Sequence, residues 1–65
     1  RALLADVERA VLSLPEKQRV ALILRKYQEM GYAEIAVTLQ CSEPAARANV
    51  HEALRKLKER FHERL

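Results

Sequence analysis

Gly31-Tyr32-Ala33-Glu34-Ile35-Ala36, followed after three residues by Gln40-Cys41-Ser42-Glu43-Pro44-Ala45-Ala46-Arg47, is the stretch that decides the fold. Gly31 is the only glycine in the chain. Glycine terminates one helix well and tolerates the N-cap of another, so helices are predicted on both sides of it. Glu34, three residues on, supplies half a capping box, weakened because Gly31 has no hydroxyl to complete it. A short helix is predicted from about Tyr32 to Leu39, with Ile35, Ala36 and Leu39 turned inward. Gln40-Cys41 then makes a tight turn, and Ser42 caps the next helix. Glu43 suits the positive end of that helix dipole, and the fixed φ of Pro44 suits its first turn. Ala46, Val50, Ala53, Leu54, Leu57 and Phe61 carry an apolar stripe onward at helical spacing. A short helix, a tight turn and a long helix are the grammar of a helix-turn-helix. Ala36 fits it too, since two helices crossing steeply at close range need a small side chain at the contact.

Upstream, Leu4, Val7, Val11 and Leu14 recur at spacings of three and four, which predicts a first helix from about Ala2 to Ser13. Pro15 interrupts it and belongs in the first turn of a second helix, with Ser13 or Leu14 flanking that start and Glu16 near its positive end. The second helix carries Val20, Ile23, Leu24 and Tyr27 on one face and is expected to end near Met30, with Gly31 as its terminator. The expectation is an all-α, four-helix domain with a C-terminal helix-turn-helix and a long recognition helix. Leu24, Ile35, Leu39, Val50, Leu54 and Leu57 are expected to form its core.

Composition agrees. Apolar residues make up 49% of the 65, too many for a disordered chain, and a length that holds one small domain at most. The chain begins at Arg1 rather than Met, so it reads as a piece of something longer. The one cysteine, Cys41, cannot form an internal disulfide and suits a reducing compartment, here the cytoplasm. It reads as a small hydrophobe in the turn rather than a reactive thiol. No apolar run approaches the roughly 20 residues that a membrane span needs.

The net charge is +3, and all of it lies at one end. Up to Ala46, Arg1, Arg9, Lys17, Arg19, Arg25 and Lys26 are balanced by Asp6, Glu8, Glu16, Glu29, Glu34 and Glu43. From Arg47 onward, Arg47, Arg55, Lys56, Lys58, Arg60 and Arg64 face only Glu52, Glu59 and Glu63. A basic stripe on one element is an electrostatic footprint for nucleic acid. Taken alone it is also an ordinary solvated helix face, and Lys56, Arg60 and Arg64 alternate with the acids as i,i+4 pairs that need no ligand. Catalysis has nothing to stand on: there is no glycine-rich phosphate loop and no serine or cysteine with a His/Asp partner. Cys41, His51 and His62 match no zinc spacing, so no metal and no cofactor are expected. Tyr27, Tyr32 and Phe61 are too scattered for a single-strand stacking platform and read as core or helix-edge residues.

Leu14-Pro15-Glu16-Lys17-Gln18-Arg19, then Gly31 to Ala36, then Cys41 to Arg47, in this order and spacing, resemble region 4 of bacterial sigma factors, most closely the extracytoplasmic-function kind. The resemblance runs from about Val7 to Phe61. It implies recognition of double-stranded promoter DNA at the −35 element by the fourth helix. It also implies two protein partners: the β-subunit flap of RNA polymerase core, and an anti-sigma factor. The chain departs from the family pattern at Gln40, where glycine is common, at Pro44-Ala45-Ala46, where Gly-Thr-Val is common, and at Ala48 and Asn49. Glu52 falls where a basic residue is frequent.

Carried over position by position, the resemblance makes Arg47, Ala48 and His51 base-facing. Helical spacing agrees for Arg47 and His51, four apart and opposite the stripe at Ala46, Val50 and Ala53. Arginine grips guanine O6 and N7 with two hydrogen bonds, histidine donates to an acceptor or stacks on a thymine methyl, and Ala48 offers only apolar contact. Ser42, at the helix N-terminus, is expected at a phosphate, and Arg55 and Lys58 at the backbone as well. Two alternatives stay open. One is a response-regulator type of output domain, although such domains usually open with a threonine-capped helix. The other is a sigma-like fold serving mainly as a protein-docking platform.

Overall fold

The computed structural model describes residues 2–61, with side chains from 5 to 61. The side chain of Leu4, and Arg1, His62, Glu63 and Arg64, named above, lie outside the described residues. Four helices follow one another: α1 (Ala2–Leu12), α2 (Glu16–Lys26), α3 (Tyr32–Leu39) and α4 (Glu43–Phe61). There is no strand among the described residues.

The first turn is tied from both sides. Ser13 Oγ donates to the Ala10 carbonyl at 2.7 Å, and the Arg19 guanidinium reaches the carbonyls of Leu12 and Leu14 at 3.4 and 3.3 Å. Pro15 stands one place earlier than predicted, at the N-cap of α2 with extended ψ 149°, rather than inside the helix. Its carbonyl accepts the first helical hydrogen bond, from Arg19 N–H at 2.9 Å.

The end of α2 differs from the sequence expectation. The helix stops at Lys26, not Met30. Glu29, at φ 55°, takes the left-handed conformation that glycine was expected to supply, and Gly31 stays at an ordinary φ of −73°. The early exit brings the chain back onto the core: Met30 N–H donates to the Leu24 carbonyl at 3.1 Å, and Met30 packs against Ile35 and its neighbours. Tyr27, the C-cap, stays on the side of Ile23 but is left uncovered, 75% exposed.

Gly31 serves only as the N-cap of α3. Glu34 accepts from its N–H at 3.3 Å, the one half of a capping box that glycine permits. At the other end Gln40, at φ 57°, is left-handed, and Cys41 N–H bonds back to the Ala36 carbonyl at 2.9 Å. That is a Schellman ending, with Cys41 as its apolar contact on the core. Ser42 then caps α4, its Oγ accepting from Ala45 N–H at 3.1 Å.

The core is two clusters rather than the one expected. Ala21, Ile35, Ala36, Ala46 and Val50 form the first, with Leu24, Met30, Tyr32, Leu39, Cys41 and Leu54 packed around them. Leu14, Leu22 and Ala53 form the second, with Val11, Leu54 and Leu57. Leu54 touches both. The core expected from sequence named large residues only; Ala46 and Ala53, which it placed on the apolar stripe, and Ala21, which it did not single out, are all at 0% exposure. Small side chains let α4 lie against α2 and α3 at once, and this fixes which of its faces points outward.

Candidate nucleic-acid interface

With Ala46, Val50 and Ala53 turned into the core, α4 presents Arg47, Ala48, His51, Arg55 and Lys58 to solvent. Arg47 to Lys58 spans about 16 Å of helix at 1.5 Å per residue. Ser42 is exposed at the N-terminal end of the same helix. All six residues singled out from sequence therefore lie along one accessible edge, but their surroundings differ.

The upper part of the edge is organised around Tyr32, at the start of α3. Its ring is partly buried against the first cluster. The Arg47 guanidinium carbon lies over it at 4.7 Å from the centroid, and that of Arg25, from α2, at 4.5 Å. His51 meets the ring edge-on at 6.2 Å, with the two planes at 83°. Arg47 also pairs with Glu43 one turn earlier at 3.6 Å, with both side chains half exposed. An exposed pair of this kind contributes little. Arg25 is steadied by a hydrogen bond from Nη1 to the Met30 carbonyl at 3.0 Å. Two guanidinium groups near one aromatic ring lie within about one Debye length of each other (~10 Å at 0.1 M salt), a local concentration of positive charge.

The lower part of the edge is largely neutral. Arg55 Nε donates to Glu52 Oε1 at 3.1 Å and its Nη2 to Glu52 Oε2, while its Nη1 donates to Glu59 Oε2 at 2.8 Å. The hydrogen bond from Arg55 holds Glu52 below the usual carboxylate range, and the hydrogen bond and charges of Glu52, then Glu59, raise Arg55 still further above neutrality. The i,i+4 pairing of Glu52 with Lys56 expected from sequence gives way to Arg55 bridging both acids. His51, Leu54, Arg55, Lys58 and Glu59 line a shallow groove of about 340 Å³ here.

The family model for "Sigma-70, region 4" matches residues 4–57. The chain belongs to that family. No curated protein and no solved structure matches it. Region 4 is a DNA-binding part of transcription factors, not an enzyme family. In this region 4 domain the match covers α2, α3 and most of α4, so every element that builds the Tyr32 cluster falls inside it.

Two residues of the cluster were not singled out by the sequence reading as part of the interface. Arg25 lies on a different helix from the basic stripe, and only the approach of α2 to α3 carries it to Tyr32. Tyr32 itself reads from sequence as a core or helix-edge residue; it is half-buried against the first cluster, and the two arginines over its ring were not foreseen. No helix among the described residues is long and apolar enough to cross a membrane, and no group of three or more His, Cys, Asp or Glu is placed there to hold a metal ion.

Proposed function

We propose that this domain reads the promoter −35 element with α4, as the DNA-binding part of a sigma factor that directs RNA polymerase in transcription initiation. The observation that carries this reading is the exposed edge of Arg47, Ala48 and His51, on a helix whose opposite side is locked by fully buried alanines. A major groove admits one helix, and it is the side chains near the N-terminal end that come closest to base edges. Arg47 is assigned to a guanine, His51 to a neighbouring base and Ala48 to an apolar contact. Ser42, Lys58 and, once released from its acids, Arg55 are assigned to phosphates. The cytoplasm, where DNA and polymerase meet, is the setting that goes with this reading.

RNA polymerase is the second partner. Val7, Val11, Leu12, Ile23 and Tyr27, with Glu8, line an apolar groove of about 520 Å³ between α1 and α2, in which Leu12 and Tyr27 are 68% and 75% exposed. Apolar side chains left this open mark a protein contact, and we assign the groove to an apolar helix of the polymerase β-subunit flap. The same groove supports the second reading, a docking platform, with an anti-sigma factor as occupant. The region 4 match favours a sigma factor over the response-regulator alternative.

Substitution separates reading from holding. Arg47→Ala is expected to cost roughly 1–3 kcal/mol and to relax preference at one base pair. Lys58→Ala is expected to weaken all duplexes alike and to lower the salt slope by about one unit. A gel-shift series against single-base variants at fixed salt measures both. An equal loss on every duplex for Arg47→Ala would move Arg47 to the phosphates.

A further inference from the structure

From the Tyr32 cluster we infer that Tyr32 is a positioning residue for specificity: its ring holds the Arg47 guanidinium over its face and thereby decides how Arg47 meets DNA. This rests on the reading of Arg47 as a DNA contact and adds to it a residue on another helix. Tyr32 is half-buried in the first turn of α3 and packed on the first core cluster, so its ring is a fixed surface rather than a mobile one. Arg47 lies over that ring at 4.7 Å, and its ion pair to Glu43, at 3.6 Å, is a loose one. Stacking occupies the face of a guanidinium and leaves the donor edge free. That edge is what a bidentate contact to guanine requires.

An unstacked arginine on an exposed helix face samples many rotamers and loses that freedom on binding. A stacked one has lost part of it already, and preorganised groups hold productive geometry to a fraction of an ångström. Arg25, over the same ring at 4.5 Å, adds a second constraint. Its charge lies within a Debye length of Arg47 and disfavours rotamers that swing Arg47 toward α2. His51, edge-on to the ring at 6.2 Å, limits the other side. Tyr32 thus couples Arg47 and His51, two of the three residues of α4 assigned to bases, to the start of α3.

The test is a double-mutant cycle on the chain, using a duplex it selects from a randomised pool and that duplex's single-base variants. Tyr32→Leu keeps apolar volume and removes the π face; Tyr32→Phe keeps the face and removes the hydroxyl. Tyr32→Leu is expected to lower discrimination about two- to fivefold, the size of an exposed cation–π contact, at the base pair that Arg47→Ala affects. Tyr32→Phe is expected to restore it, and Tyr32→Leu combined with Arg47→Ala to discriminate no worse than Arg47→Ala alone. Losses that simply add in the double variant overturn the positioning role. An equal weakening of every duplex by Arg47→Ala refutes base reading instead, and the cycle on overall affinity then still decides whether Tyr32 acts through Arg47. A second measurement needs no variant: ring current from Tyr32 is expected to move the Arg47 side-chain protons upfield, and unshifted resonances would overturn the inference.

Discussion

Arg55 shows how one residue's partners decide its availability. From sequence it is expected at the DNA backbone, on the exposed edge of α4; in the fold its guanidinium hydrogen-bonds to Glu52 and Glu59. Glu52, one turn before Arg55 on α4, is thus an acid that ties up a cation of the exposed edge. The ion pair persists wherever Glu52 is ionised. Because the Glu52 pKa is depressed, that condition holds at neutral pH and is lost only as pH falls through a value below the usual carboxylate range. Glu52→Gln is therefore expected to tighten binding to all duplexes without changing the melting curve. It is also expected to steepen the dependence of log K on log salt by about one phosphate's worth, ~0.9. Binding measured at several salt concentrations checks this; Glu59, bonded to Arg55 at 2.8 Å, remains in the variant, so an unchanged slope would show that this one acid is enough to hold Arg55 off the phosphates.

The elements join through two left-handed residues that are not glycine, Glu29 and Gln40. Left-handed backbone costs a side-chain-bearing residue on the order of 1 kcal/mol, and glycine adopts it freely. Gln40→Gly, the residue the family pattern favours in this turn, is expected to stabilise the domain by up to about 1 kcal/mol. That should raise Tm by roughly 4–8 °C per kcal/mol in so small a protein. A lower Tm would mean that the Gln40 side chain contributes more than its backbone strain costs. The boundaries of α3 and α4 were legible because their caps are local in sequence: Gly31 with Glu34, and Ser42 with Ala45. The end of α2 was not. Its terminator is a glutamate, which carries no such signal, and Tyr27 continues the apolar rhythm of a helix that has already stopped. The early stop matters to the interface, since it lets Arg25 bond the Met30 carbonyl on its way to Tyr32.

Across the whole molecule, an extent of 35 × 18 × 17 Å holds one long helix with an exposed polar edge and, on α1 and α2, an open apolar groove. The all-helical architecture and the outward edge of α4 were readable because period alone sorts Ala46, Val50 and Ala53 from Arg47, His51 and Lys58. The two-cluster core and the Arg25–Tyr32–Arg47 stack were not, because both depend on how closely α2 approaches α3 and α4, which buried alanines set and hydrophobicity alone does not rank. A single module of this size buries about 600–1,000 Å² on DNA and draws much of its affinity from phosphates. On the proposed function, useful promoter occupancy is expected to require tethering through polymerase to further contacts. The central claim is that α4 reads duplex DNA by sequence. It is tested most directly by binding the chain to a duplex it selects and to a scrambled duplex of equal length, from 50 to 200 mM salt. The expected result is a linear fall of log K with log salt on both, with the scrambled duplex weaker by at least about tenfold, one base pair's worth of discrimination, throughout. Equal binding to the two duplexes at every salt concentration would contradict it.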